Sequence, residues 1–126
     1  MLRDTNPAVL IVEDEPFIRM AAADIVADLG ATPYEAADAG EALAILGAHP
    51  EIGLLFTDVN MPGMDGVTLA RRARELRPDV ELLVTSGRGA IAESDLPKDG
   101  AFLPKPYGSR QLSSAVERRL AARGRQ

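Results

Sequence analysis

With 126 residues, 46% of them hydrophobic and 26% charged, the chain has the size and composition of one soluble globular domain. It has no cysteine and a single histidine, His49, which excludes disulfides, thiolate metal sites and histidine-based zinc clusters. The net charge of -5 disfavours direct binding to nucleic acid, and since neither a membrane-spanning apolar run nor a secretory signal is visible, we expect a cytoplasmic protein without membrane contact.

Strands and helices are predicted to alternate along the chain. Residues 8–12 (Ala-Val-Leu-Ile-Val) form an apolar run rich in β-branched side chains, which is typical of a strand buried on both faces of a sheet. From Pro16 the apolar residues recur at positions 18, 21, 22, 25 and 29, the spacing of one helix face, and Gly30 suits the end of that helix. Further strands are predicted at 32–36, 52–57, 80–85 and 101–103, and further helices after Asp38, at 67–76 and around 112–120.

This order of elements predicts an α/β fold. Five strands separated by helices imply parallel βαβ units, with helices on both faces of the sheet. Ligands of such open sheets bind beyond the carboxyl ends of the strands, so functional residues are expected there. The segment 87–100 carries glycines and prolines but few apolar residues, which predicts that the fourth helix is short or disordered.

Five polar residues directly follow or end the predicted strand cores. They are Glu13 and Asp14 after the first strand, Asp58 after the third, Thr85 at the end of the fourth and Lys105 after the fifth. A parallel sheet brings them to one edge, where three carboxylates repel one another unless a cation is present. An all-oxygen ligand set favours Mg²⁺ over zinc, so the sequence predicts a magnesium site.

Each carboxylate taken alone also has a simpler interpretation. Asp14 or Glu15 could cap the first helix, and Asp58 could order the turn that follows it. The group as a whole favours chemistry, because a cation site, an acceptor carboxylate, a hydroxyl and a lysine are what phosphoryl transfer to an aspartate requires. Asp58 would attack in line, while Lys105 and the metal neutralise charge and Thr85 donates a hydrogen bond.

Four motifs then carry a family resemblance. They are Val-Glu-Asp-Glu (12–15), Thr-Asp-Val-Asn-Met-Pro-Gly-Met-Asp-Gly (57–66), Val-Thr-Ser-Gly (84–87) and Phe-Leu-Pro-Lys-Pro-Tyr (102–107). With these motifs in this order and spacing, essentially the whole chain resembles the receiver domains of bacterial two-component response regulators. The resemblance implies a flavodoxin-like sheet of strand order 2-1-3-4-5 and a single receiver domain over residues 1–126, with its core at about 7–122.

The resemblance also implies a role for each site residue. Asp58 is the phosphoacceptor, and Lys105 pairs with the phosphoryl oxygens. The implied Mg²⁺ ligands are Asp14, Asp58, Glu13 acting largely through water, and the backbone carbonyl of Asn60. The implied switch pair is Thr85 and Phe102, and the remaining implied site positions are Ser86 and Pro106, the latter at the family's cis-proline position.

The function implied is a phosphorylation-dependent signalling switch rather than an enzyme in the usual sense. The implied donor is a histidine kinase or histidine phosphotransfer protein, and phosphorylation changes binding to a downstream partner. Residues 85–88 (Thr-Ser-Gly-Arg) and 102–107 are similar to receivers associated with HWE-type sensor kinases. We expect a stand-alone receiver, and the family's dimer face leaves a homodimer open.

Two alternatives remain at this stage. The chain could be a receiver fragment of a hybrid histidine kinase. It could also be a Mg²⁺-dependent phosphatase-like hydrolase with Asp58 as nucleophile. Such hydrolases usually have a second acidic residue two positions further on, where this chain has Asn60, so this alternative is disfavoured.

Overall fold

The computed structural model describes residues 7–87, 96–97 and 100–123. Strands and helices alternate in the order β1 Ala8–Val12, α1 Pro16–Asp28, β2 Thr32–Ala36, α2 Ala39–Ala48, β3 Ile52–Asp58, α3 Gly66–Leu76, β4 Glu81–Ser86, β5 Ala101–Pro104 and α4 Ser109–Arg123. The predicted short fourth helix falls on the segment between β4 and β5, most of which lies outside the described residues. In the described ranges, no helix combines the length and apolar character needed to cross a membrane.

The five strands form one parallel sheet in the order β2-β1-β3-β4-β5, which confirms the predicted fold class and strand order. In the centre, Leu10 of β1 lies between Tyr34 of β2 and Leu55 of β3. Every residue of β1, β3 and β4 is buried, whereas the edge strands β2 and β5 are largely half-buried. Continuous apolar runs therefore occupy the strands that have neighbours on both sides and helices on both faces.

The core has two layers because successive side chains of a strand point to opposite faces of the sheet. Leu10 packs with the layer that contains residues of α2 and α3, whereas Val9 and Ile11 pack with the layer that contains residues of α1 and α4. Full burial of one such side chain stabilises the fold by about 1.5–3 kcal/mol. Packing from both faces fixes the strands and therefore the residues at their carboxyl ends.

Helix capping decides between two interpretations of the acidic loop after β1. Glu15, not Asp14, is the N-cap of α1, and its carboxylate accepts a hydrogen bond from Ile18 N at 2.9 Å. Asp38 caps α2 in the same way, with Glu41 N donating at 2.8 Å. Because Glu15 satisfies the helix terminus, the exposed Asp14 is left for another role.

A network of charged groups joins the opposite end of the sheet, where the strands begin. The Arg77 guanidinium donates to the carbonyls of Leu46, His49, Pro50 and Ile52. It also donates to both carboxylate oxygens of Asp79 at 3.0 Å, and Arg123 reaches Asp79 Oδ2 at 3.0 Å. The Arg77 hydrogen bonds, assisted by Arg123, hold the pKa of Asp79 well below its ordinary value despite partial burial.

Candidate functional site

The carboxyl ends of the strands bring the five predicted polar residues to one edge of the sheet. Ligand oxygens of Glu13, Asp14 and Asp58 all lie within 4.8 Å of one another. Lys105 Nζ lies 3.0 Å from Asp58 Oδ2 and 3.7 Å from Glu13 Oε1. Thr85 is the register partner of Asp58 on the neighbouring strand. Residues that are up to 92 positions apart in the chain, from 13 to 105, thus share one site.

Asp58 is the last residue of β3, and the residue as a whole is only 6% exposed. Oδ2 accepts a hydrogen bond from Lys105, and Oδ1 accepts one from Asn60 N at 3.2 Å. The backbone is held as well, because Val59 N donates to Thr85 O at 2.9 Å and the Thr57 hydroxyl donates to Asp58 O at 2.9 Å. The carboxylate is therefore fixed in direction before any substrate arrives.

The electrostatics of the site leave an excess of negative charge. Burial raises the pKa of Glu13, a hydrogen bond from Glu15 N opposes that shift, and the charge of Asp58 adds to it. Burial lowers the pKa of Lys105, but the hydrogen bond and charge of Asp58 outweigh burial, so the pKa lies above its ordinary value and the ammonium is retained. Among the described residues, Lys105 faces three clustered carboxylates, and this oxygen-only donor set suits a hard divalent cation such as Mg²⁺.

Three further predicted positions surround the acidic cluster. Asn60 lies two residues after the end of β3, and its N–H donates to the Asp58 carboxylate, which brings its backbone next to that group. Ser86 is buried at the end of β4, and its carbonyl accepts a hydrogen bond from Lys105 N at 3.0 Å. The Lys105-Pro106 peptide bond is cis. The backbone hydrogen bond to β4 thus fixes the position of the Lys105 backbone, from which the side chain extends toward Asp58.

The predicted switch residues lie on adjacent strands, Thr85 on β4 and Phe102 on the edge strand β5. Thr85 is 2% exposed, and its hydroxyl has no hydrogen-bond partner within the part of the chain that the structure describes. An unpaired buried hydroxyl costs about 1–3 kcal/mol. Phe102 is half-buried rather than part of the core, and it lines a cavity of about 400 Å³ together with Arg118 and Arg119 of α4.

A second surface near the site was not predicted. The apolar face assigned to α1 from the sequence included Ile18, which is 42% exposed, because the helix has more apolar residues than the sheet covers. Phe17 and Met20 are also exposed, at 78% and 53%. A largely apolar groove of about 660 Å³ runs from α1 to residues 105–109, and Phe17, Ile18, Lys105 and Tyr107 are among the residues that line it.

Two more residues act on the site without having been identified from the sequence. Arg19 donates to the carbonyl of Glu13 at 2.9 Å, which no local pattern indicates. Gly66 starts α3 against the backbone of Asp58, so closely that a Cβ atom would lie 2.8 Å from the Asp58 carbonyl carbon. Gly66 could have been identified from the sequence, because it is the last residue of the turn-forming motif at 57–66.

Comparisons with known proteins agree with this geometry. A family model for the response regulator receiver domain matches residues 9–117. The chain is 41% identical over 119 residues to the sensor kinase CckA of Brucella abortus, an alignment that covers 91% of this chain and 13% of the relative. It is 44% identical over 72 residues to the response regulator receiver protein CpdR of the same organism, covering 55% of this chain and 60% of the relative. The chain thus spans only part of the length of these relatives.

Solved structures show the same architecture. A CheY-like response regulator receiver domain protein from Methanospirillum hungatei superimposes with a TM-score of 0.86 at 25% identity, covering 96% of this chain and 98% of that one. A response regulator receiver protein from Sinorhizobium medicae has a TM-score of 0.86 at 28% identity, covering 93% and 96%. With the family model spanning most of the sequence, the chain belongs to the response regulator receiver domain family.

Proposed function

We propose that this receiver domain is a phosphorylation-dependent signalling switch with Asp58 as its phosphoacceptor. The observation that carries the proposal is the buried Asp58 carboxylate, 3.0 Å from Lys105 and clustered with two further acids. In transfer from a phosphohistidine, an Asp58 oxygen forms the new bond to phosphorus while the phosphorus–nitrogen bond breaks. The imidazole leaves with the electron pair of that bond.

Lys105 and Thr85 supply the donors for the transferred group. The Lys105 ammonium already contacts Asp58 Oδ2, so a small movement brings it to a phosphoryl oxygen. The Thr85 hydroxyl is buried next to Asp58 and has no partner within the described residues, so a phosphoryl oxygen would satisfy it. Lys105 already contacts the acceptor before the reaction, which lowers the cost of reorganisation.

We also propose that the acidic cluster holds Mg²⁺. The ligands would be Asp14, Asp58, the backbone carbonyl of Asn60 and Glu13, the last largely through water. The close carboxylate oxygens support this assignment, because they bring together negative charge that a cation would balance. When bound, the ion supplies neutralisation of charge on the transferred group.

The switch would act through Thr85 and Phe102. Movement of Thr85 toward a phosphoryl oxygen would release space next to β5, and the aromatic ring of Phe102 would swing inward. Two observations support this role: the Thr85 hydroxyl has no partner in the described part of the chain, and a cavity lies beside Phe102. The surface that changes would then bind a downstream protein partner, and a homodimer through this face is a further proposal.

The proposed phosphodonor is a histidine kinase or histidine phosphotransfer protein. The apolar groove between α1 and residues 105–109 suits its docking, because exposed Phe17 and Ile18 lie at one end and Lys105, which contacts the acceptor, lines the other. We propose an HWE-type kinase as the donor, because residues 85–88 and 102–107 are similar to those of receivers associated with such kinases.

Two settings fit this function. In one, the chain is a stand-alone cytoplasmic receiver domain that contacts neither nucleic acid nor membrane. In the other, it is the receiver of a larger hybrid kinase, which the match to 13% of the sensor kinase CckA favours. The phosphoryl chemistry at Asp58 is the same in both settings.

Phosphorylation by a small donor tests the acceptor directly. We expect acetyl phosphate with Mg²⁺ to add one phosphoryl group per chain, detected by intact mass, and Asp58→Asn to remain unmodified. Asp24→Asn is a matched control, because Asp24 is an exposed aspartate on α1. A folded wild-type chain that gains no phosphoryl group refutes the proposal, and equal labelling of Asp58→Asn shows that the acceptor is misassigned. Sustained turnover of a small phosphate ester would instead indicate a hydrolase.

A further inference from the structure

The loop from β1 to α1 carries two of the three clustered carboxylates and is held by hydrogen bonds at every polar group of Glu13. Glu13 N donates to the carbonyl of Ala36, the last residue of β2, at 3.1 Å. The Glu13 carboxylate accepts from Glu15 N at 3.0 Å. Its carbonyl accepts from Arg19 Nη1 at 2.9 Å. Arg19 therefore bonds the peptide unit that joins Glu13 to Asp14.

This peptide unit determines how two acidic side chains are directed. A peptide is planar, so fixing the direction of its carbonyl constrains ψ of Glu13 and φ of Asp14 together. The end of β1 already positions the Cβ atom of Glu13, so these two backbone angles set the direction of Asp14 relative to Glu13 and decide whether both carboxylates can point toward Asp58. We propose that Arg19 is a positioning residue for the cation site, and that Glu35 orients Arg19.

Arg19 is well placed for this role because two hydrogen bonds, one from its backbone and one from its side chain, fix its own position. Its N–H donates to Glu15 O at 3.0 Å, which makes it part of the first turn of α1. Its Nε donates to the carboxylate of Glu35 on β2 at 3.1 Å. Since the guanidinium is planar, holding Nε leaves Nη1 a restricted range of directions. The edge strand thereby orients the donor that reaches the Glu13 carbonyl.

The ion pair between Arg19 and Glu35 contributes little to stability. The Arg19 side chain is 19% exposed and that of Glu35 is 40% exposed, and ion pairs this close to solvent contribute little to folding. By contrast, loss of a group that orients a metal ligand typically lowers metal affinity by about 10–100-fold. The inference rests on the proposed function, since it takes the cluster of Glu13, Asp14 and Asp58 to bind Mg²⁺.

The test measures Mg²⁺ affinity in the full chain, by calorimetric titration and by the amide NMR shifts of Asp14, at a temperature where every variant is folded. We expect Arg19→Ala to weaken binding roughly tenfold. Arg19→Lys keeps the charge but lacks the planar fork, so an intermediate loss is expected. Glu35→Gln should cause a smaller loss, and the double variant should bind no more weakly than Arg19→Ala, because Glu35 acts through Arg19.

Arg123→Ala is the matched control. Arg123 makes the same two kinds of contact, with the carboxylate of Asp79 at 3.0 Å and with the backbone carbonyl of Asp79 at 3.3 Å, but at the other end of the sheet. If the role of Arg19 were purely structural, Arg19→Ala would behave like Arg123→Ala. Both variants would then have a lower unfolding temperature and an unchanged Mg²⁺ affinity.

Three results overturn the inference, and they differ in what else they overturn. In the first, the Mg²⁺ affinities of Arg19→Ala and Arg123→Ala differ by no more than about twofold, which is well under the loss expected for an orienting group. The proposed role of Arg19 is then wrong, while the cation site stands. If the losses of Arg19→Ala and Glu35→Gln multiply in the double variant, Glu35 does not act through Arg19. If the folded wild type itself binds no Mg²⁺, the proposed cation site fails together with this inference.

Discussion

Replacing Gly66 with alanine tests whether the start of α3 sets the position of the phosphoacceptor. A Cβ atom at this position would lie 2.8 Å from the carbonyl carbon of Asp58, 2.9 Å from Cα of Val59 and closer still to the Asp58 carbonyl oxygen. Real Cβ atoms essentially never approach another heavy atom within 3.0 Å. All three neighbours are backbone atoms, so no side-chain rotation relieves the overlap, and the end of β3 has to move away from α3.

The size of the effect follows from these distances. An ordinary contact begins at 3.4 Å, so the carbonyl carbon has to move by at least about 0.6 Å, the difference between 3.4 Å and 2.8 Å, and the nearer carbonyl oxygen has to move further. Overpacking of this kind costs about 1–3 kcal/mol, equivalent to roughly 4 °C in Tm per kcal/mol. Misplacement of a reacting group by 1 Å costs on the order of 100-fold in rate, so we expect Gly66→Ala to be phosphorylated roughly tenfold more slowly.

The assay compares urea unfolding and the rate of labelling by acetyl phosphate in wild type, Gly66→Ala and Gly47→Ala. Gly47 is a matched control in a helix, because a Cβ there meets only a side-chain carbon of Leu76 at 3.9 Å. Gly47→Ala should gain about 0.4–1 kcal/mol through lower entropy of the unfolded chain and label at the wild-type rate. Equal stability and equal labelling rates of the two alanine variants would refute the steric reasoning.

Three further predictions concern the cation, the switch and the far end of the sheet. Mg²⁺ should raise Tm, by the equivalent of about 2.7 kcal/mol at 100 times its Kd, because it binds the folded state only; an unchanged Tm in scanning calorimetry contradicts the acidic site. Thr85→Val replaces the hydroxyl, which has no hydrogen-bond partner among the described residues, with a methyl group, so it should stabilise the unphosphorylated protein by roughly 1 kcal/mol yet weaken binding of BeF₃⁻. A loss of stability in urea titration would show that the hydroxyl has a partner. Asp79→Asn should cost about 1 kcal/mol at neutral pH, through its contacts with Arg77. Because the folded pKa of Asp79 is depressed, this stability is present above the ordinary value of 3.8 and is lost as the pH falls toward the folded pKa. The difference from wild type should therefore shrink in acid, and a difference that does not change with pH contradicts the ion pair.

The sheet was predictable from local patterns, apart from the ends of its strands. The apolar run at 8–12 became β1 without change, because five consecutive apolar residues are buried only where helices cover both faces. β3, β4 and β5 each extend one residue beyond the predicted end, to Asp58, Ser86 and Pro104. Hydrogen bonding between the strands continues past their last apolar residue, so an apolar pattern alone does not show where a strand ends.

The site was predictable to the extent that it follows from strand ends. Glu13, Asp58 and Lys105 were identified as neighbours because parallel strands present their carboxyl ends together. Arg19 was not identified, because its contacts depend on the rotation of α1 and on Glu35 of the edge strand. Exposure of Ile18 was missed for a related reason, since spacing defines a helix face but not how much of it the sheet covers.

The sequence alone therefore determined which chemical groups stand at the ends of the strands and, through strand alternation, that they share one edge. Only the tertiary structure decided that Glu15 rather than Asp14 caps α1, that the Thr85 hydroxyl is buried without a partner among the described residues, and that Arg19 holds the acidic loop. The physical reason is that sequence patterns report local features, whereas these contacts join residues of different elements. Periodicity reports which face of an element is buried, whereas distances between side chains of different elements depend on how those elements pack against each other.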